Sequence, residues 1–388
     1  VFICWNKIMK NVLVYGDGII GKLTAIALSD YFNVYILSSN KSKIANNNQD
    51  RYFSINLLSK FMFIKYGLWE DINKSISSGY NKIITWHESL KEDVIFKSSD
   101  ISFDKLGYII KEDVIKNTLD YKLNTMPNIF STNSIDNKID DIYFDFKIKS
   151  SYEKEISSNN KNYSFSKIDY DQKAIVLNLT CDLNNDQDTA FQRFHTGEVQ
   201  GLLPISRNQY NLIWSAENSI IDNIKKLDDK KLITNLNKSL EDKIGKITHL
   251  SERSMFPLVG YNSKKYLFND IILIGGAAHS VHPLAGLGLN MGIQDIFILT
   301  RCIEKYSKYV DALKKYERIC VTDNNRFYRT INSLIKFYLE ETIPDIIRNK
   351  SLSLFNKNKL IKRKAIEIAT GIDKLSSLSK DEYCKPSY

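Results

Sequence analysis

The residues best suited to chemistry lie in "IILIGGAAHSVHPLAGLGLNMGIQD", positions 271–295. Four apolar residues, Ile271 to Ile274, lead into Gly275 and Gly276; His279, His282 and Pro283 follow, then Gly286 and Gly288, after which an apolar helical pattern runs to about Ile303. Glycines in such a loop permit unusual dihedrals and the close approach of a flat ligand, and free N–H groups at a helix start stabilise negative charge on it. A planar, redox-active ring suits that place. The two histidines are three residues apart, as metal ligands can be, but a proline follows and no third ligand is evident, so loop packing and capping is the preferred reading over a metal site.

A second glycine cluster, "GDGIIG", sets Gly16, Gly18 and Gly21 around Ile19 and Ile20. It fits the dinucleotide fingerprint: the first glycine allows the tight turn, the second lets a pyrophosphate approach the backbone, and the third lets helix and strand pack closely. The fingerprint normally continues with an Asp or Glu that grips ribose hydroxyls at the end of the second strand. Ser38 holds that place, followed by Ser39 and Asn40. A serine still makes one hydrogen bond, and the lost charge-assisted grip costs about 1 to 2 kcal/mol.

These residues need a scaffold. "NVLVYGDGIIGKLTAIALSDYFNVYIL" has the grammar of strand, glycine turn, helix and strand, with Leu23, Ile26 and Ala27 at helical spacing. A right-handed parallel crossover then puts the turn at the carboxyl edge of a sheet, where such sheets bind ligands. "RYFSINLLSKFMFIKYGLWEDI" reads as a helix with Leu57, Leu58, Phe61 and Ile64 on its apolar face, and "GYIIKEDVIKNTLDYKL" as another. Between Tyr163 and Ser219 short β-rich runs succeed one another, "KAIVLNLTC", "TAFQRFH", "QGLLPIS" and "YNLIWSA". They predict an antiparallel sheet inserted into the first domain. The parallel texture resumes at "DIILIGG", and from Ala312 onward the pattern is helical and basic; "SSYEKEISSNNKNYS" is a loose polar loop.

The expected class is α/β: a Rossmann-like nucleotide-binding domain over 9–75, 100–155 and 255–325, an antiparallel β-sheet domain over 76–99 and 156–254, and a helical region over 326–388. Bulk properties agree with a folded protein. Of 388 residues 43% are apolar and 12% aromatic, enough for a substantial core. No apolar run is long enough to span a bilayer, and the opening "VFICWNKIMK" lacks the apolar core of an export signal, so a cytoplasmic chain is expected, with translation from Met9 losing little. Five scattered cysteines without a Cys-x-x-Cys pair suggest neither a disulfide framework nor zinc. The net charge of +9 is spread through a Lys- and Asn-rich chain, and with no recognisable nucleic-acid module it does not support nucleic-acid binding.

Taken in order, "GDGIIGKLTAIALS", "RYFSINLLSKFMFIKYGLWEDI", "GYIIKEDVIKNTL", "FQRFHTGEVQGLLPIS", "FPL" at Phe256 to Leu258, the 271–295 loop and "IIRNKSLSLFNKNKLIKRKAIEIATGI" resemble the class A flavin monooxygenases, in particular the hydroxylases of ubiquinone biosynthesis. The resemblance runs from about residue 11 to 373. It implies an FAD-binding fold of the GR2 type with an inserted β-sheet substrate domain. It also implies reduction of the flavin by NADH or NADPH bound without a domain of its own. Oxygen would add at the flavin C4a, and the hydroperoxide would deliver a hydroxyl to a polyprenylated phenol. The protein's share is positioning and exclusion of water, with no side-chain acid or base assigned. By residue, the resemblance puts Gly16, Gly18, Ile19, Ile20 and Gly21 at the pyrophosphate, Ser38 at the ribose position and Arg51 close to the flavin. Gly275 and Gly276 fall at the cofactor's ribityl and phosphate region, Pro283, Gly286 and Leu287 in the flavin-positioning loop, and the backbone through Gly288, Leu289 and Asn290 at the pyrimidine edge. Gln192, Arg193, Phe194 and Leu202 to Pro204 fall in the substrate-domain motif, as structural or substrate-contacting residues.

Four departures accompany the resemblance. Gly276 replaces the aspartate of the family's Gly-Asp pair, Ser151-Tyr152 replaces Asp-Gly, Glu112 and Asp113 stand where a basic or polar contact is usual, and Ser38 replaces the acid. At about 1 kcal/mol each they would lower FAD affinity several hundredfold. The sequence therefore supports an active hydroxylase, and as the alternative a degenerate relative with weak or no FAD binding that serves a quinone-making assembly. A simple NAD-dependent dehydrogenase explains neither the second glycine loop nor the β insertion. The tail's alternation of Leu, Phe and Ile with Lys357, Lys359, Lys362 and Arg363 fits either a helix lying at the inner face of an anionic membrane or one packed on its own domain.

Overall fold

The computed structural model describes residues 10–38, 50–132, 139, 141–151, 164–182, 188–283, 286–339 and 343–375. The chain opens with β1 (Asn11–Tyr15), α1 (Ile19–Leu28) and β2 (Asn33–Leu37). β1 and β2 pair in parallel from Asn11 against Asn33 to Tyr15 against Leu37, so the first glycine turn lies at the carboxyl edge of the sheet. Next come β3 (Tyr52–Asn56), α2 (Leu57–Lys65), α3 (Trp69–Asn73), β4 (Ser78–Tyr80), β5 (Lys82–His87), β6 (Val94–Lys97), β7 (Gly107–Lys111), α4 (Glu112–Asn124), β8 (Ile129–Thr132) and β9 (Phe146–Lys149).

Two segments expected to be wholly helical each begin with a strand. Tyr52–Asn56 and Gly107–Lys111 pair antiparallel, as their aromatic and β-branched residues favour. The Asn56 side chain then accepts from the Ser59 N–H and caps α2. The helix buries Leu57, Leu58, Met62 and Phe63, and Ile64, placed on the apolar face by spacing alone, is exposed.

The middle of the chain forms β10 (Phe165–Cys181), β11 (Thr189–His195), β12 (Glu198–Ser206), β13 (Gln209–Glu217), α5 (Asn218–Lys226), α6 (Asp229–Ile244), β14 (Ile247–Leu250), β15 (Ser254–Ser263), β16 (Leu267–Phe268), β17 (Ile271–Leu273) and β18 (His279–Ser280). The helices α7 (Gly288–Lys305), α8 (Tyr309–Leu339), α9 (Asp345–Lys357), α10 (Lys359–Thr370) and α11 (Ile372–Leu375) complete it. β16-β17-β9-β1-β2-β8 make a six-stranded sheet, parallel except at β16. β18-β15-β10-β13-β12-β11-β5-β6, with β14 beside β10, make a mostly antiparallel nine-stranded sheet, and β3-β7-β4 a small third one.

Three boundaries of the expected division move. β4 joins β7 in the small sheet instead of the large one. β15 and β18 belong to the nine-stranded sheet, because β15 pairs along β10 from Ser263 against Phe165 to Ser254 against Val176. α8 runs unbroken across residue 325, with neither Gly nor Pro to interrupt its period.

One core joins the six-stranded sheet to α1, α2, α7 and α8 through Val12, Val14, Leu23, Phe146, Ile272, Ile293 and Tyr316. A second joins the nine-stranded sheet to α5 and α6 through Leu177, Leu212, Ile221 and Leu236. Each such side chain contributes about 1.5 to 3 kcal/mol on burial, which fixes the two sheets as rigid supports for the loops at their edges.

Candidate functional site

The first turn is held from both sides. Gly16 N–H donates to the Leu37 carbonyl at 3.0 Å, and Ser150, just past β9, donates both its N–H and its hydroxyl to the Tyr15 carbonyl, each at 3.0 Å. Gly16 has φ +104°, and a Cβ there would lie 2.6 Å from Ser150 Oγ, so conformation and space both demand glycine. A Cβ on Gly21 would collide with the Gly16 carbonyl oxygen. Gly18, the helix cap, is different: a Cβ there would meet nothing within 4 Å. Its neighbours Ile19 and Ile20 turn inward. Ile19 is buried in the core, and Ile20 packs at Gly275 and Gly292, where added Cβ atoms would lie 2.9 and 2.7 Å from it. Ile19 has only its backbone to offer a ligand, and Ile20 is half-buried.

That wedge brings the two glycine turns together. Gly275 N–H donates to Asp295 Oδ2 at 2.9 Å; the same oxygen lies 2.7 Å from His279 Nε2, and Asn324 Nδ2 donates to Oδ1 at 2.9 Å. The Asp295 and His279 side chains are almost wholly buried. A single carboxylate thus fixes the start of the loop, a role the sequence reading missed; its signal was one acid amid the apolar run Met291 to Ile298. His282, by contrast, points at the nine-stranded sheet. Its Nε2 lies 3.0 Å from Gln172 Oε1, and the Tyr170 ring stands edge-on at 5.1 Å. A bulge between Asp169 and Gln172, with Asp171 at φ +50°, aims these two residues at the loop. Burial lowers the His282 pKa from 6.5 to about 4, so the ring is neutral at physiological pH. No cluster of three or more metal-ligating side chains occurs among the described residues.

Beyond Pro283 the turn closes with the Gly286 N–H on the Pro283 carbonyl at 3.0 Å and φ +59° at Gly286. Leu287 caps α7 without a side-chain hydrogen bond, no acid stands in the first turn, and a Cβ on Gly288 would again meet nothing. Leu289 packs at the edge of the core. Asn290 is engaged elsewhere. Its amide donates to the Ser54 carbonyl at 2.8 Å and accepts from Asn56 N–H at 3.0 Å and Ser59 Oγ at 2.8 Å, so it clamps the loop to β3 and α2 and leaves the pyrimidine edge to the backbone.

The expected polar contacts sort unevenly. Ser38 directly follows β2 and is half-buried, while Ser39 and Asn40 lie outside the described residues, as does Tyr152. Ser151 stands beside Gly16, its Oγ 3.0 Å from where a Cβ would be. Gly276 carries no carboxylate, and the Tyr261 hydroxyl donates to its carbonyl. Glu112 is paired within the protein, its carboxylate 3.3 Å from Arg51 and 2.8 Å from Lys116. Arg51 itself is mostly exposed and ranges over the Phe53 ring. Arg193 is buried, bonding Gln200 at 2.9 Å and pairing with Glu88, and Phe194 stacks on Tyr338 at 4.0 Å. Those two residues serve the sheet and its packing on α8.

Two helix starts, α1 and α7, therefore present N–H groups without a side-chain cap and side-chain-free backbone, with no acid in either first turn. This is a fit for an extended anionic nucleotide carrying a flat ring. The family model of an FAD binding domain matches residues 149–322. The 3-demethoxyubiquinol 3-hydroxylase of Escherichia coli is 22% identical over 93% of this chain and 98% of its own length. Over nearly its whole length the chain is similar to FAD-dependent hydroxylases of ubiquinone biosynthesis. A second relative, the mitochondrial ubiquinone biosynthesis monooxygenase COQ6 of Dictyostelium discoideum, is 23% identical over 93% of this chain and 91% of its own length. In fold the chain matches p-nitrophenol 4-monooxygenase from Pseudomonas putida, with a TM-score of 0.71 at 15% identity over 93% of this chain and 98% of the other. It also matches 2-methyl-3-hydroxypyridine-5-carboxylic acid oxygenase, with a TM-score of 0.68 at 15% identity over 94% and 96%.

Proposed function

We propose that this monooxygenase hydroxylates the ring of a polyprenylated phenol on the route to ubiquinone, with FAD as its cofactor and NADH or NADPH as reductant. The observation that carries the reading is the packing of the first glycine turn, through Ile20, against Gly275 and Gly292 on either side of the second glycine loop, together with likeness to ubiquinone hydroxylases over nearly the whole chain. FAD, when bound, supplies the oxygen activation. The chain's own groups bind and orient: the α1 start takes the pyrophosphate, Pro283 and Gly286 to Asn290 present backbone to the ring, and Asp295, His282 and Asn290 hold that loop to three different elements. Such tethering keeps reacting atoms in place and water out.

No described helix is long and apolar enough to cross a membrane. We assign the enzyme to the cytoplasmic side, meeting its lipid-tailed substrate at a membrane surface and working beside other quinone-making enzymes. Purified protein supplied with FAD, NAD(P)H and a prenylated phenol should give a product heavier by one oxygen atom. A colourless protein that gains no thermal stability from FAD would favour the non-catalytic alternative.

A further inference from the structure

The tail's apolar residues divide between two faces. On α9 and α10, Leu352, Ile366 and Thr370 are buried against the body. Ile346, Ile347, Leu354, Leu360, Ile361 and Ile368 face outward, Leu354 at 70% exposure and Leu360 at 81%. Six of the fifteen large apolar side chains exposed among the described residues thus fall in this one helical pair. Leu354, Leu360 and Ile361 gather at the corner where α9 meets α10, flanked by Lys357 and Lys359 and capped by Asn358. Residues 345–370 hold seven Lys and Arg against two acids. Both acids are spent: Asp345 pairs with Arg348, and Glu367 with Arg363 and Lys364. What reaches solvent is an apolar tip flanked by Lys350, Lys357 and Lys359, with Glu92 as the acid beside it, 3.2 Å from Asn356.

We propose that this corner inserts into the surface of an anionic phospholipid bilayer, with Leu354, Leu360 and Ile361 among the acyl chains and Lys350, Lys357 and Lys359 at the headgroups. A protein partner would be met by a flatter apolar patch with charges of both signs, whereas leucines projecting between long lysines match the layered polarity of a lipid interface, where lysine stems lie along apolar matter and their heads reach water. This deepens the membrane contact proposed above by naming the surface that makes it.

Flotation of the full chain with phosphatidylcholine vesicles, with and without phosphatidylglycerol, tests it. The wild type should float with the anionic vesicles. Leu354→Asn with Leu360→Asn should lower partitioning at least about tenfold, and Lys357→Gln with Lys359→Gln about twentyfold on anionic vesicles alone. Lys225→Gln with Lys226→Gln, on α5, should change little. Thermal midpoints serve as the folding control, and Leu360→Glu replaces the leucine pair should that variant fail to fold. Equal binding by the leucine variant and the wild type, or a wild type that stays with the soluble fraction, overturns the proposal. So does a wild-type dimer dissolved by the same substitutions, which would make the corner a protein interface. Turnover of a short-tailed, water-soluble phenol should be unaffected by all these variants, so loss of hydroxylation with flotation intact would refute the enzyme reading alone.

Discussion

Lowering the pH should loosen the flavin loop through His282. The ring is buried and hydrogen-bonded only to Gln172 among the described residues, and burial brings its pKa from 6.5 to about 4. In the unfolded chain it takes up a proton near its ordinary value, while in the folded protein it stays neutral until about pH 4. Its contribution is therefore fully present above about pH 6.5, declines as pH falls through the window, and is gone below about pH 4, because the unfolded state binds the extra proton there. The difference of about 2.5 pK units corresponds to about 3 kcal/mol. Urea unfolding at steps from about pH 7.5 to about pH 4.5 should show it, with His282→Gln run beside the wild type to cancel every other titrating group. The wild type's advantage over the variant should shrink by about 3 kcal/mol across that range. A difference that stays constant with pH would refute the argument and mean that the ring is reached by water or by a buried charge.

Four further outcomes follow from the same geometry. Asp295→Ala should cost about 3 kcal/mol or more in urea unfolding, since it strands the Gly275 N–H, His279 and Asn324 together; Arg51→Ala, which breaks one exposed pair, should cost less than about 1 kcal/mol. Asn290→Ala removes three buried hydrogen bonds between the loop and β3 and α2, so about 2 to 3 kcal/mol of stability should be lost and FAD affinity with it, as read by flavin fluorescence. Gly21→Ala should prevent stable folding because its Cβ has no room beside Gly16, which soluble yield and circular dichroism would report.

The sequence carried the glycine turns because glycine is dictated by local space and dihedral angle, and both Gly16 and Gly286 do adopt positive φ. The β block was legible for a similar reason, since period-two alternation is a local signal. Strand-to-helix joins were not. Tyr52–Asn56 and Gly107–Lys111 are strands because they pair with each other across some fifty residues, and no local pattern records a partner that distant. The tethers of the loop were hidden likewise. Asp295, Asn290 and Gln172 meet Gly275, Ser54 and His282, partners 20, 236 and 110 residues away, only in the folded chain. The countercharges of Glu112 were only half legible: Lys116 stands one helical turn on, whereas Arg51 arrives from the lead-in to β3.

The central claim is that open backbone at Gly18 and Gly288 forms the walls of an FAD slot. Titrating FAD into wild-type apoprotein and into Gly18→Val with Gly288→Val, following flavin fluorescence and the thermal midpoint, tests this most directly. Because neither added side chain meets protein atoms within 4 Å at its Cβ, the two apoproteins should melt within a few degrees of each other, while the wild type binds one FAD and the variant binds at least about a hundredfold more weakly, a loss of about 3 kcal/mol. Equal affinity in both, or a wild type that takes up no flavin at all, would contradict the account.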